Sequence, residues 1–102
     1  MDDALRVIAD PVRREILALV RDGEVSAGEI AGRFAVTRPA VSHHLSVLKG
    51  AGLVVERRAG TRRYYRADAE RIAELRSQLE RFWDTQLARL EQDVRTRPPK
   101  RA

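Results

Sequence analysis

Between positions 37 and 46 the chain places Thr37, Arg38, Pro39, Ser42, His43 and Ser46, all compact or hydrogen-bonding side chains. On a helix, positions i, i+3, i+4 and i+7 share one side. Pro39, Ser42, His43 and Ser46 therefore form a face, with Thr37 and Arg38 at its N-terminal end. No large aliphatic side chain falls on it. Hydroxyls and imidazoles donate and accept hydrogen bonds, and a guanidinium donates in a planar fork. Such a face fits the base edges of a DNA major groove about 12 Å wide, with Arg38 suited to guanine. Downstream, Arg57, Arg58, Arg62 and Arg63 supply guanidinium groups whose natural partners are backbone phosphates.

The charge distribution points the same way. The chain of 102 residues carries a net charge of +5. Segments 1–25 and 68–94 hold more acids than bases, whereas segments 26–53, 54–67 and 95–102 are basic. Residues 54–67 set Arg57, Arg58, Arg62, Arg63 and Arg66 against Glu56 alone. Positive charge gathered on the candidate contact elements implies a polyanionic partner.

The elements that must position these groups are legible from caps and periodicity. Residues 2–9 predict a short helix with Leu5 and Ile8 on one face. Asp10 and Pro11 predict the cap and first position of a second helix, with Val12, Ile16, Leu19 and Val20 as its buried stripe. Ser26 and Glu29 fit a capping box. Thr37 caps the next helix, which tolerates Pro39 in its first turn and turns Val41, Leu45 and Leu48 inward. Gly52 suits a left-handed residue after that helix. Residues 54–59 and 62–67 predict two strands around Gly60-Thr61, with Tyr64 and Tyr65 on opposite faces. Asp68 caps a last helix, in which Ile72, Leu75, Leu79, Phe82, Trp83, Leu87, Leu90 and Val94 recur every three or four residues.

The fold class is therefore mainly α with a small β-hairpin, in the order ααααββα: a winged helix-turn-helix. Residues 1–94 form one DNA-binding and dimerisation domain, and 95–102 a basic, disordered tail. A domain this small cannot hide the whole apolar stripe of its last helix. The expected two-fold interface joins Leu5 and Ile8 to Leu79, Phe82, Trp83, Leu87 and Leu90. It would set two reading helices about 34 Å apart, one turn of DNA.

Other classes fit poorly. The only histidines, His43 and His44, are adjacent, and there is no cysteine. No glycine-rich phosphate loop or nucleophile motif is present, so the chain is not read as an enzyme and no cofactor is expected. No apolar run approaches the ~20 residues that span a bilayer, and no signal peptide opens the chain. The expected compartment is the cytoplasm, and no membrane partner is expected. A winged module that binds an acidic protein is the alternative of a different class.

Residues 9–17 (ADPVRREIL), 38–48 (RPAVSHHLSVL), 51–54 (AGLV) and Arg63-Tyr64-Tyr65 together resemble the ArsR/SmtB family of winged-helix transcriptional repressors. The resemblance spans roughly residues 5–94. It implies a homodimer that represses by binding an imperfect palindrome in a promoter, often its own, with Arg38, Ser42 and His43 in the groove. Many members of that family sense metals through a Cys-Val-Cys segment, but the matching positions here are Ser26, Ala27 and Gly28. A second family site uses histidines on the last helix, and residues 68–94 contain none. Zinc-like ions prefer cysteine or histidine, so no metal site of these kinds is expected. A carboxylate-only metal sensor is the remaining alternative within the family, and the inducing signal is open.

Overall fold

A computed structural model describes residues 3–96. Along them lie α1 (Asp3–Ile8), α2 (Pro11–Leu19), β1 (Val25–Ser26), α3 (Ala27–Gly32), α4 (Arg38–Gly50), β2 (Val54–Ala59), β3 (Arg62–Ala67) and α5 (Ala69–Thr96). The expected order of helices and hairpin is present, with one addition. Val25 and Ser26 pair with Tyr65 and Tyr64, making a three-stranded antiparallel sheet in the order β1-β3-β2. A two-residue strand is too short for periodicity to reveal.

The α1–α2 junction explains the Asp10-Pro11-Val12-Arg13-Arg14 run. The Asp10 carboxylate accepts from the N–H groups of Val12 (2.8 Å) and Arg13 (3.2 Å), capping α2. The Arg13 side chain donates back to the Val7 carbonyl at 2.6 Å, and Arg14 to those of Ile8 and Ala9. One short segment thus satisfies the start of one helix and the end of another. Ala4 and Val7 are the buried residues of α1, while Leu5 and Ile8 are half-buried against the same core.

Thr37 caps α4, and Ser26 caps α3 by accepting from the Glu29 N–H at 3.2 Å. The reciprocal half of the expected capping box is absent among the described residues, where the Ser26 backbone already belongs to β1. The C-terminus of α4 closes as a Schellman motif. The Leu53 N–H donates to the Leu48 carbonyl and the Gly52 N–H to that of Lys49, both at 3.0 Å. Gly52 holds φ +76°, a left-handed conformation that glycine adopts without a Cβ clash. Leu48 and Leu53, at the two ends of this closure, are fully buried.

The core unites Ile16 and Val20 of the α2 region, Ile30 of α3, Val41, Leu45 and Leu48 of α4, Leu53, Val54 and Tyr65 at the hairpin base, and Leu75 of α5. At the hairpin tip only Gly60, at φ +63°, takes the left-handed region. Asp68 caps α5, accepting from the Arg71 N–H at 3.1 Å. That helix continues two residues past the domain boundary expected at 94. Arg95 pairs with Glu91 at 3.5 Å, and the Thr96 hydroxyl donates to the Gln92 carbonyl. A cation in the last turn also favours the helix dipole. The rest of the expected tail lies outside the described residues.

Leu48 is the core residue on which both α4 and the entry to the hairpin close. Leu48→Ala should lower the unfolding free energy by about 2–5 kcal/mol. Ser46→Ala, on the opposite face, should change it by less than about 0.5 kcal/mol. Urea denaturation at fixed protein concentration checks both, and equal effects would contradict the assignment of the two faces.

Candidate nucleic-acid interface

The two faces of α4 are sharply divided. Val41, Leu45 and Leu48 are 2%, 2% and 0% exposed. Thr37, Arg38, Pro39, Ser42, His43 and Ser46 are all exposed. The Thr37 hydroxyl accepts from the Ala40 N–H at 3.2 Å. Pro39 sits in the first turn, where a backbone N–H would have no partner within the helix. The adjacent histidines diverge, as about 100° of rotation per residue requires. His43 faces outward. His44 is half-buried, with Nδ1 3.3 Å from Arg13 Nη1, so it ties α4 to the α1–α2 junction.

Strand alternation separates the four candidate arginines of the hairpin. The register pairs Arg58 with Arg63 on the face shared by Tyr65, and Arg57 with Tyr64 on the other. Arg57, expected to hold a phosphate, is already engaged. Its Nε and Nη2 lie 2.8 Å from Glu24 Oε2, and its guanidinium rests 4.7 Å from the Tyr64 ring centroid. The hydrogen bond from Arg57 holds the Glu24 carboxyl below the ordinary glutamate range. Arg57 therefore braces the segment before β1 against the hairpin. No local signal announces this pair, whose members lie 33 positions apart in the chain.

Glu56 is the other residue that residue type alone did not single out. Its side chain is 9% exposed. It accepts from the Tyr65 hydroxyl at 2.7 Å and lies 3.4 Å from both Lys49 Nζ and Arg58 Nε. It thus joins the end of α4 to both strands of the hairpin. Like charges directly opposite one another destabilise a strand pair, and Glu56 relieves the pairing of Arg58 with Arg63. The available signal was its position two residues after the buried Val54, on the inward side of the strand. Tyr65, 5% exposed, anchors the hairpin to the core, while Tyr64 is half-buried.

Arg62, Arg63 and Arg38 line an open cleft of about 550 Å³ between the hairpin tip and the start of α3. The cleft thus brings the start of α4 beside the tip of the hairpin.

Comparison with known proteins decides the family. A helix-turn-helix domain family matches residues 8–57. The chain is 49% identical over 82 residues to the HTH-type transcriptional regulator Rv2034 of Mycobacterium tuberculosis, covering 80% of this chain and 77% of that protein. The solved structure of a possible transcriptional regulator for arsenical resistance superposes with a TM-score of 0.76 at 42% identity, covering 91% of this chain and 97% of that one. A homodimeric winged helix-turn-helix DNA-binding domain from Mycobacterium bovis, a possible ArsR-family regulator, superposes with a TM-score of 0.62 at 35% identity, covering 78% and 73%. The chain belongs to the ArsR family. It is a DNA-binding transcriptional regulator with a winged helix-turn-helix fold.

Within this regulator, the donors that would hold a thiolate-bound metal do not fit. Ser26 is spent as the cap of α3, and Ala27 and Gly28 form its first turn without any ligating atom. Among the described residues no group of three or more His, Cys, Asp or Glu is placed to hold a metal ion. Among the described residues no helix is long and apolar enough to cross a membrane either. The residues expected at a dimer interface divide in two. Leu5, Ile8 and Leu79 are half-buried, while Phe82, Trp83, Leu87 and Leu90 are 38%, 51%, 56% and 58% exposed. Val94, at 68%, extends the same exposed run.

Glu56 sets a pH signature. The Tyr65 hydroxyl first, then Lys49 and Arg58, hold its carboxyl below the ordinary glutamate value of 4.5. A carboxyl lowered by folding contributes stability that is complete above its unfolded pKa and is lost as pH falls through its folded pKa. Glu56→Gln should therefore be less stable than the native chain at pH 7. It should also decline less steeply with acid below pH 4.5. Thermal melts across this range test it, and parallel curves would remove Glu56 from that role.

Proposed function

We propose that this regulator is a cytoplasmic homodimeric repressor that binds an imperfect palindrome in a promoter, its own among the candidates. α4 reads bases through Ser42, His43 and Ser46, and the hairpin, acting as the wing, contacts the flanking backbone through Arg58, Arg62 and Arg63. The observation that carries this reading is the exposed face of α4, which is free of large aliphatic groups while its opposite face is buried. A groove admits such a helix without steric conflict and meets donors and acceptors on arrival. His43→Ala should cost roughly 1–3 kcal/mol of discrimination between duplexes. The test is a titration with DNA from upstream of the regulator's own gene and with a shuffled duplex of equal length. Equal losses on both would show that His43 does not read sequence, and no preference in the native chain would favour a protein-binding module.

The dimer reading rests on α5 and on the homodimeric state of the Mycobacterium bovis neighbour. Phe82, Trp83, Leu87 and Leu90 follow one another along the helix and remain exposed. A second copy related by two-fold symmetry would cover them with the same residues, as an isologous interface requires. Leu87→Glu should give a monomer by sedimentation. Its affinity for a two-half-site duplex should fall toward that for a single half-site. A variant that remains dimeric would place the interface elsewhere.

A further inference from the structure

Arg38 does not extend along the reading face of α4. Its Nη2 lies 3.9 Å from the position a Cβ on Gly28 would occupy, so the guanidinium lies over the first turn of α3. From there it lines the cleft of about 550 Å³ together with Arg62 and Arg63 of the wing. Among the described residues none of these three arginines has an ion pair with a carboxylate, in contrast to Arg57 and Arg58. Glu29 is the one acid in the lining. The lining thus sets three arginines against one carboxylate, with Arg62 and Arg63 reaching it from opposite faces of β3. The hollow is far larger than a bare oxyanion needs and leaves room for a sugar attached to it.

We propose that Arg38, Arg62 and Arg63 form a single seat for one phosphodiester of the DNA backbone, so that Arg38 registers the backbone and not a base. This inference rests on the DNA-binding reading and refines it. A seat built jointly by the first residue of α4 and the tip of the wing is filled only when both elements straddle the same strand. It therefore fixes how far the wing stands from the reading helix, and with it the depth at which Ser42 and His43 enter the groove. Gly28 leaves the seat open, since any longer side chain there would grow toward Arg38.

Fluorescence-anisotropy titrations of the full chain over a salt series test this, with duplex from upstream of its own gene and a shuffled duplex. Arg38→Ala should weaken both complexes by the same factor, roughly tenfold for one charge-assisted hydrogen bond. It should also reduce the log–log salt slope by about one. Gly28→Asp places a carboxylate beside Arg38 at a helix start that favours acids. It should keep or raise the melting temperature while weakening both duplexes as Arg38→Ala does. Loss confined to the upstream duplex would make Arg38 a base reader and overturn the proposal. Unchanged binding in both variants would show that the seat is empty in the complex. Sodium phosphate that competes more strongly than sodium chloride at equal ionic strength would assign the cleft to a free anion. If the native chain prefers neither duplex yet both variants weaken it alike, the seat stands and sequence reading fails. If it binds neither duplex, both fail.

Discussion

The division of α4 into a buried and an exposed side is the constraint on which the interface depends. A helix turns about 100° per residue, so seating Val41, Leu45 and Leu48 in the core leaves no freedom in where Ser42, His43 and Ser46 point. The core is closed around the same three residues by Ile16, Ile30 and Leu53. Burial of an aliphatic side chain contributes about 1.5–3 kcal/mol, so rotating α4 by one residue would forfeit several such contributions at once. The exposed face is thus held by packing, and no polar contact has to be made before a ligand arrives.

The wing inherits its position from that helix. The Leu53 N–H bonds the Leu48 carbonyl, Asp68 N–H bonds the Leu53 carbonyl, and Ala67 N–H bonds the Val20 carbonyl. Both strands of the wing are thereby fastened at their base to the elements that hold α4. Glu56 and Glu24 add side-chain ties higher up, one on each face of the hairpin. Exposed ion pairs are individually weak, and here they act chiefly to remove charge. Arg57 is balanced by Glu24, and Arg58 shares Glu56 with Lys49. Uncompensated positive charge is therefore concentrated toward the tip, where the strand ends meet the start of α3. A wing stiff at its base and cationic at its tip suits an anion arriving from solvent.

Much of this is legible in the sequence itself. The strand limits on either side of Gly60-Thr61 follow from local turn chemistry, and the caps Asp10, Ser26, Thr37 and Asp68 from residue type ahead of an apolar period. These features depend on neighbours within about four positions. What local reading missed depends on distant ones. β1 exists only because β3 passes alongside it. Glu24 and Arg57 meet only because the sheet forms. For α1, periodicity drew attention to Leu5 and Ile8, whereas the deepest contacts belong to Ala4 and Val7. Alanine is a poor marker of burial because a small side chain is accommodated on either side. Helical spacing puts Arg38 at the start of the α4 face, and its long side chain runs back over α3, a direction that spacing alone does not describe.

α5 carries the argument beyond one chain. Its 28 residues form a rod of about 42 Å. Only its first part touches the core, through Ile72 and Leu75. Beyond them, pairs such as Arg76–Glu80 and Arg95–Glu91 support the helix, at a few tenths of a kcal/mol each. Most helical stability in proteins comes from packing of an apolar face, which this segment lacks within one chain, and its exposed aromatic and leucine side chains add a cost that a second copy would remove. The start of the same helix is fixed at Asp68, one hydrogen bond from Leu53 and hence from the end of α4. The angle at which two α5 helices cross would therefore be carried with little slack to the spacing of two reading faces. Duplex DNA repeats at a fixed pitch, so an association that changed that angle would alter operator binding without touching any residue in the groove.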